Sequence, residues 1–381
     1  MKYTQSDRHG LNTYIFPVYV LLIAYASLSP FTGWRVPESD VFHFLTVWPR
    51  YITRFDVLIN ILAYLPLGFL AALSLRRLRG GTLILAATSM GAAVSLGMET
   101  LQVFVPGRIA SIPDLLTNTA GSLAGAALAR SLGSRSHLMQ KLVLWRNRWF
   151  LSGPIADWGL VLLGLWLFIQ ANPSLPLMGV WSGQTLSTGP AHFDMVLTAA
   201  ILLNTLALGI LLSAILQPPR PLWIAALLFL TVCAVIKWLA AQALLKPEAL
   251  SQWLSAESLA GVGYAAVLLT LTLRLQLRNR IWLVTVCLIA GIILTILNTG
   301  NGLPATMLRL FDWRHGHLLN FNGLTHTVLL VWPAVPCTFL FALALVFATQ
   351  AFITKTVTGR AMQAVAQNTE TVYRELLPRP R

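Results

Sequence analysis

The stretch METLQVFVPGRIASIPDLLTNTAGSLAG, residues 98–125, decides how this chain is read. Apolar sequence runs into it and out of it, and Pro106-Gly107 breaks the run between, so it reads as a helical hairpin. Its polar residues gather at the turn end. Glu99 and Gln102 lie three apart near the end of the first arm, Arg108 lies in the turn, and Asp114 and Asn118 lie four apart at the head of the second. Spacings of three and four place side chains on one helix face. An ionisable group at membrane depth costs roughly 2.5–3.5 kcal/mol, so such groups are rare unless paired or used. This hairpin is therefore the candidate site.

The sequence around it is oily. Of 381 residues, 56% are hydrophobic and 10% charged, with a mean hydropathy of +0.69, which excludes an ordinary soluble domain. Apolar windows near the roughly 20 residues of a spanning helix fall at 11–31, 55–75, 81–105, 115–133, 155–171, 193–216, 221–245, 256–276, 281–298 and 325–350. Backbone polar groups in lipid must be satisfied within the segment, and nothing alternates like a barrel strand. The expected fold is all-α, a polytopic integral membrane helix bundle of about ten transmembrane helices. Cys233, Cys287 and Cys337 all fall in apolar segments and suggest neither disulfides nor a metal pair. Ala24-Tyr25-Ala26 imitates a signal cleavage site, but the run continues to Phe31 and is long enough to span.

The net charge of +14 is an orientation signal. Lys2, Arg8, Arg76, Arg77, Arg79, Arg130, Arg135, Lys141, Arg146, Arg148, Arg220, Arg274, Arg278, Arg280 and the basic residues after 350 all fall on one side of a ten-span chain. That side is cytoplasmic by the positive-inside rule, so both termini are cytoplasmic and the hairpin faces outward. The charge is absorbed by topology, and nucleic acid is not an expected partner. The chain divides into a four-helix region over 1–149, a second membrane region of about six helices over 150–350, and a basic cytoplasmic tail over 351–381. Trp34, Trp48 and Tyr51 in the first outer connection suit a membrane interface. Residues 134–149 mix basic side chains with Leu138, Leu142, Leu144 and two tryptophans, as an amphipathic surface helix would. A degenerate four-plus-four repeat is read from Phe55-Asp56 recurring as Phe193-Asp194, Gln102 as Gln242, and Ala120-Gly121 as Ala260-Gly261. In the second copy Leu239 stands for Glu99, Glu248 for Arg108, Leu254 for Asp114 and Ser258 for Asn118.

Counting 1.5 Å per residue from Val105 puts Glu99 roughly 9 Å below the interface, where a carboxylate is partly desolvated. Arg108 is its expected partner, either closing the hairpin or serving a site. Asp114 also fits a cap led by Ser111. Asp56, Asn60 and Tyr64 form a stripe spaced by four, with Asn60 at the depth of Glu99. A second polar cluster, Asp312 to His326, suits a solvated outer loop or a lid over the first site, and its histidines match no zinc spacing. No metal is assigned and the cofactor is left unknown. The acids and Asn118 suit a hard cation, whereas Arg108 and a helix N-terminus suit an anion.

These residues resemble the VanZ-like family of bacterial multi-pass membrane proteins. The likeness rests on Asp56, Asn60 and Pro66-Leu67-Gly68, then Glu99-x-x-Gln102, Pro106-Gly107-Arg108, Ser111, Asp114-Leu-Leu-x-Asn118 and Gly121-x-x-x-Gly125, over about residues 15–133. The family takes its name from a protein associated with low-level teicoplanin resistance, and the resemblance implies no reaction, substrate or cofactor. The reading that follows is a cell-envelope protein of the bacterial cytoplasmic membrane. Its outward site, made of Asn60, Glu99, Gln102, Arg108, Asp114 and Asn118, binds a membrane lipid or lipid-linked glycan, with Arg108 gripping an anionic group and Glu99 orienting Arg108. Other membrane proteins are possible partners. The alternative is an enzyme acting on an envelope lipid with Glu99 or Asp114 as catalytic base; a transporter or scaffold is a third reading.

Overall fold

The computed structural model describes residues 11–179, 193–298, 324, 325 and 328, apart from 29, 30, 32, 38, 39, 50, 51, 76, 133–136, 248, 249, 251 and 252. The described residues form helices and no strand. They are α1 (Asn12–Leu28), α2 (Arg54–Ser74), α3 (Gly80–Gln102), α4 (Ile112–Ser131), α5 (His137–Trp149), α6 (Pro154–Gln170), α7 (Met195–Ile215), α8 (Leu222–Leu244), α9 (Ala256–Thr272) and α10 (Leu277–Asn298). A helix occupies every apolar window except 325–350, which lies outside the described residues but for 325 and 328, as does the tail. Four helices, α2, α3, α7 and α8, are long and apolar enough to cross a membrane. α1, α6 and α9 are shorter apolar helices.

Polar residues set where the helices begin. Thr53 and Asp56 form a reciprocal capping box at the head of α2. Ser111 caps α4 by accepting from the Asp114 N–H at 3.2 Å, and Ser255 caps α9 in the same way through the Ser258 N–H. Asp194 caps α7, accepting from the N–H groups of Val196 and Leu197. Each cap satisfies donors that a helix start leaves without an internal partner.

α4 is the inner helix of the first group and packs closely on both α2 and α3. Its contact face is built of small residues. A Cβ on Gly121 would lie 2.5 Å from the Ile61 carbonyl oxygen, and one on Gly125 would clash with the Leu65 carbonyl oxygen. Gly68 of α2 lies against the Ser122 backbone, and Gly91 of α3 against the Ser122 side chain. Such approach compensates for the absence of a hydrophobic force between helices in lipid. It also explains why α4 is less apolar than α2 or α3: the face it turns to them is made of small and polar residues, while Leu116, Leu123 and Leu128 stay exposed on the other. α1 runs antiparallel to α2, with the Tyr19 hydroxyl donating to the Ala63 carbonyl at 2.9 Å.

The second group is centred on α7, which packs against α6, α8, α9 and α10. Trp166, Leu162, Ile169, Ile201, Ile210 and Ile215 make its core. Gly261 of α9 lies on Ile201 of α7, as Gly121 of α4 lies on Ile61 of α2, with the same separation in sequence. Ser255 caps α9 as Ser111 caps α4. These are counterparts, in packing, of the degenerate repeat. The two groups meet where α1 touches α6, with the Tyr14 and Trp158 rings 5.2 Å apart.

Gly125→Ala should lower the unfolding free energy in lipid nanodiscs by about 1–3 kcal/mol through overpacking against Leu65. Gly97→Ala, with nothing within 4 Å of its Cβ, should stay within about 0.5 kcal/mol of wild type. Thermal unfolding of the two variants side by side checks both.

Candidate functional site

Three helices of the first group, α2, α3 and α4, present a layered seam, read in steps of four residues. At the turn end lie Asn60 of α2, Glu99 of α3 and Asp114 of α4. One turn further in lie Tyr64, Ser95 and Asn118; then Gly68, Gly91 and Ser122; then Ala72, Ala87 and Ala126. Polarity falls layer by layer.

In the outermost layer the Asn60 amide donates to Asp114 Oδ1 at 2.6 Å. Ser111 lies between the two acids. Its N–H donates to Glu99 Oε2 at 2.9 Å and its hydroxyl donates to Asp114 Oδ2 at 2.8 Å. The Glu99 side chain, 3% exposed, thus accepts from an N–H at the N-terminal end of α4, where helix geometry leaves donors and favours negative charge. In the second layer the Asn118 amide donates to the Ser95 hydroxyl at 2.9 Å, and both residues are buried. Tyr64 Oη, Asn118 Oδ1 and Ser122 Oγ are buried without a hydrogen-bond partner among the described residues. Below them Ala71, Ala72, Ala87, Ala126 and Ala129 pack into a dry cluster.

Two of the expected site residues point elsewhere. Gln102 donates to the Ser27 carbonyl at 3.1 Å and Arg108 to the Ala26 carbonyl at 2.9 Å. Both fasten the C-terminal end of α1, whose last carbonyls have no partner within the helix. Desolvation lowers the Arg108 pKa below the usual guanidinium value. The expected Glu99–Arg108 pair does not form: among the described residues the one ion pair is Arg146–Asp157 at 2.5 Å. The physical reason is that the turn lifts Arg108 towards α1 and brings the Ser111 N–H to Glu99 instead.

The structure therefore brings together Asn60, Glu99 and Asp114, holds Asn118 one turn deeper, and turns Gln102 and Arg108 onto α1. Asp56 is engaged in the cap of α2. Ser95, four residues before Glu99 on the same face, is the partner of Asn118, and Ser111 bonds both acids besides capping α4. The polar cluster 312–326 lies outside the described residues except for Leu324 and Thr325, and Thr325 accepts from the Asn172 amide in the second group at 2.8 Å. Among the described residues no three His, Cys, Asp or Glu side chains gather as a metal site would require.

Residues 5–133 match the family model described as VanZ/LLP1, which identifies a VanZ-like region within a longer chain. No curated protein and no solved structure matches the chain. The match and the apolar helices together mark a membrane protein.

A double-mutant cycle on Asn60→Ala and Asp114→Ala should return a coupling of about 0.6–2 kcal/mol, as for other interhelical hydrogen bonds in membranes. Gln102→Ala and Arg108→Ala should each speed amide exchange over residues 26–28 and leave the interior of α4 unchanged, read by hydrogen–deuterium exchange mass spectrometry.

Proposed function

We propose that this protein serves the bacterial cell envelope from the cytoplasmic membrane, and that its VanZ-like region receives the polar head of an amphiphile, a lipid-linked glycan or phospholipid. The observation that carries this reading is a buried acid–amide cluster beside an exposed apolar rim. Trp34, Val36, Trp48 and Ile109 are exposed. The segment bearing Trp34 is tied to the site's turn, with the Arg35 N–H donating to the Phe104 carbonyl at 3.0 Å. An amphiphile answers both features. Its acyl chains favour the rim, and its hydroxyl or amine groups favour the acceptors of Glu99 and Asp114. The basic residues Arg77, Arg79, Arg130, Lys141 and Arg148 belong to the connections at the opposite end, which supports an outward-facing site.

A second reading, group transfer on an envelope lipid, is favoured by Ser111 standing between two carboxylates, which places a hydroxyl beside a general base. The hydroxyl lies on Asp114 and only the backbone N–H on Glu99, so Ser111→Ala separates the two: retained binding with lost turnover supports an enzyme. Transport has less support, because the alanine cluster fills the seam inward of Ser122.

Two measurements test the proposal. Ile109→Cys should react with a membrane-impermeant thiol reagent in intact spheroplasts; reaction only after permeabilisation overturns the outward site. Mass spectrometry of lipids that co-purify in nanodiscs should find an amphiphile held by wild type and reduced at least tenfold in a folded Asp114→Asn variant. The same lipid complement in both overturns the binding role.

A further inference from the structure

The connection between the two groups carries chemistry that the site does not use. From residue 115 to residue 156 the sequence holds Arg130, Arg135, Lys141, Arg146 and Arg148 and no Asp or Glu. Within it, α5 places Leu142, Trp145 and Trp149 at spacings of three and four, one helical face. Lys141 and Arg148, seven apart, border that face on one side, and Arg146 borders it on the other. Leu142 is 51% exposed and Trp145 53% exposed. In water such a face is unfavourable; at a membrane interface it is the expected arrangement, with basic stems reaching towards headgroups.

The helix is also held in place. The Gln217 N–H donates to the Trp149 carbonyl and the Leu151 N–H to the Ile215 carbonyl, each at 2.9 Å. The Arg220 side chain donates to the Arg148 carbonyl at 2.9 Å and lies over the Trp149 ring, 5.6 Å from its centroid. Arg146 is neutralised by Asp157. Lys141, Arg148 and Arg220 have no carboxylate partner among the described residues. Three basic side chains thus share a platform built from α5 and the α7–α8 turn, at the end of the bundle away from Glu99.

We infer that this platform is a docking surface for anionic phospholipid headgroups of the cytoplasmic leaflet, with Leu142 and Trp145 seated among the acyl chains and Lys141, Arg148 and Arg220 on the phosphates. Charge complementarity selects the lipid, because Asp157 is taken up by Arg146 while Lys141, Arg148 and Arg220 have no carboxylate partner among the described residues. The exposed apolar face selects a membrane over a soluble anion.

The test uses the full chain in nanodiscs of phosphatidylcholine, with or without an equal part of phosphatidylglycerol. A polarity-sensitive fluorophore on Leu142→Cys should shift to the blue with phosphatidylglycerol and back at high salt. In competition, wild type should retain phosphatidylglycerol over phosphatidylcholine. The variant Lys141→Gln/Arg148→Gln/Arg220→Gln should lose roughly fivefold in that preference per charge removed. The salt response of wild type keeps the proposal falsifiable should the triple variant fail to fold. Equal retention of the two lipids by wild type, insensitivity to salt, or an unchanged preference in a folded triple variant each overturns it. None of these results bears on ligand binding at Glu99 and Asp114.

Discussion

The close approach of α4 to α2 is the constraint on which the first group depends. Lipid tails are as apolar as leucine, so helices in a bilayer are drawn together by packing and interhelical hydrogen bonds rather than by expulsion from water. Gly121 and Gly125 let backbone meet backbone at Ile61 and Leu65. Only at that separation can a side chain as short as Asn60 reach Asp114. The same approach, taken from α3 through Gly91, sets Ser122 and Asn118 into the seam beside Ser95. The glycines are structural, and the polar network is their consequence.

That network has a direction. Acids and an amide stand at the turn end, hydroxyls and a second amide one turn in, then glycine and serine, then alanine. The polar partners are confined to the turn end, and the seam closes about two turns in, where Gly68 and Gly91 meet Ser122. The second group keeps the glycine packing but has Leu239 and Leu254 where Glu99 and Asp114 would stand. Gly261 repeats the glycine contact, and Lys237, fully buried, donates to the carbonyls of Asn172 and Leu175 at 2.7 and 3.0 Å. It fastens the chain leaving α6 much as Gln102 and Arg108 fasten the end of α1.

Much of this was legible from residue order. Hydropathy located the helices, because an apolar run of spanning length has few other ways to satisfy its backbone. Spacing by four placed Asn60 with Tyr64 and Asp114 with Asn118. The basic, acid-free connection read as a surface helix, and α5 lies there. The pairing of Glu99 with Arg108 was the misreading. It rested on nearness along the chain and on opposite charge, and it left out the competing backbone groups: the unpartnered carbonyls of α1 for Arg108 and the Ser111 N–H for Glu99. Ser95 escaped notice because a single serine in an apolar helix carries no sign of which neighbour it will meet.

The sequence by itself determined the class of fold, the helix positions, the end of the bundle where the polar residues gather and the VanZ-like character of the first third. Those follow from local quantities, namely apolar length, charge balance and periodicity. Tertiary structure decided which polar atom meets which. Partners are chosen by the distance between helix backbones, and glycine contacts between residues some sixty positions apart set that distance. A candidate list of six residues thereby became three arrangements: a buried cluster around Ser111, Asn118 on Ser95 one turn deeper, and a clasp on the end of α1.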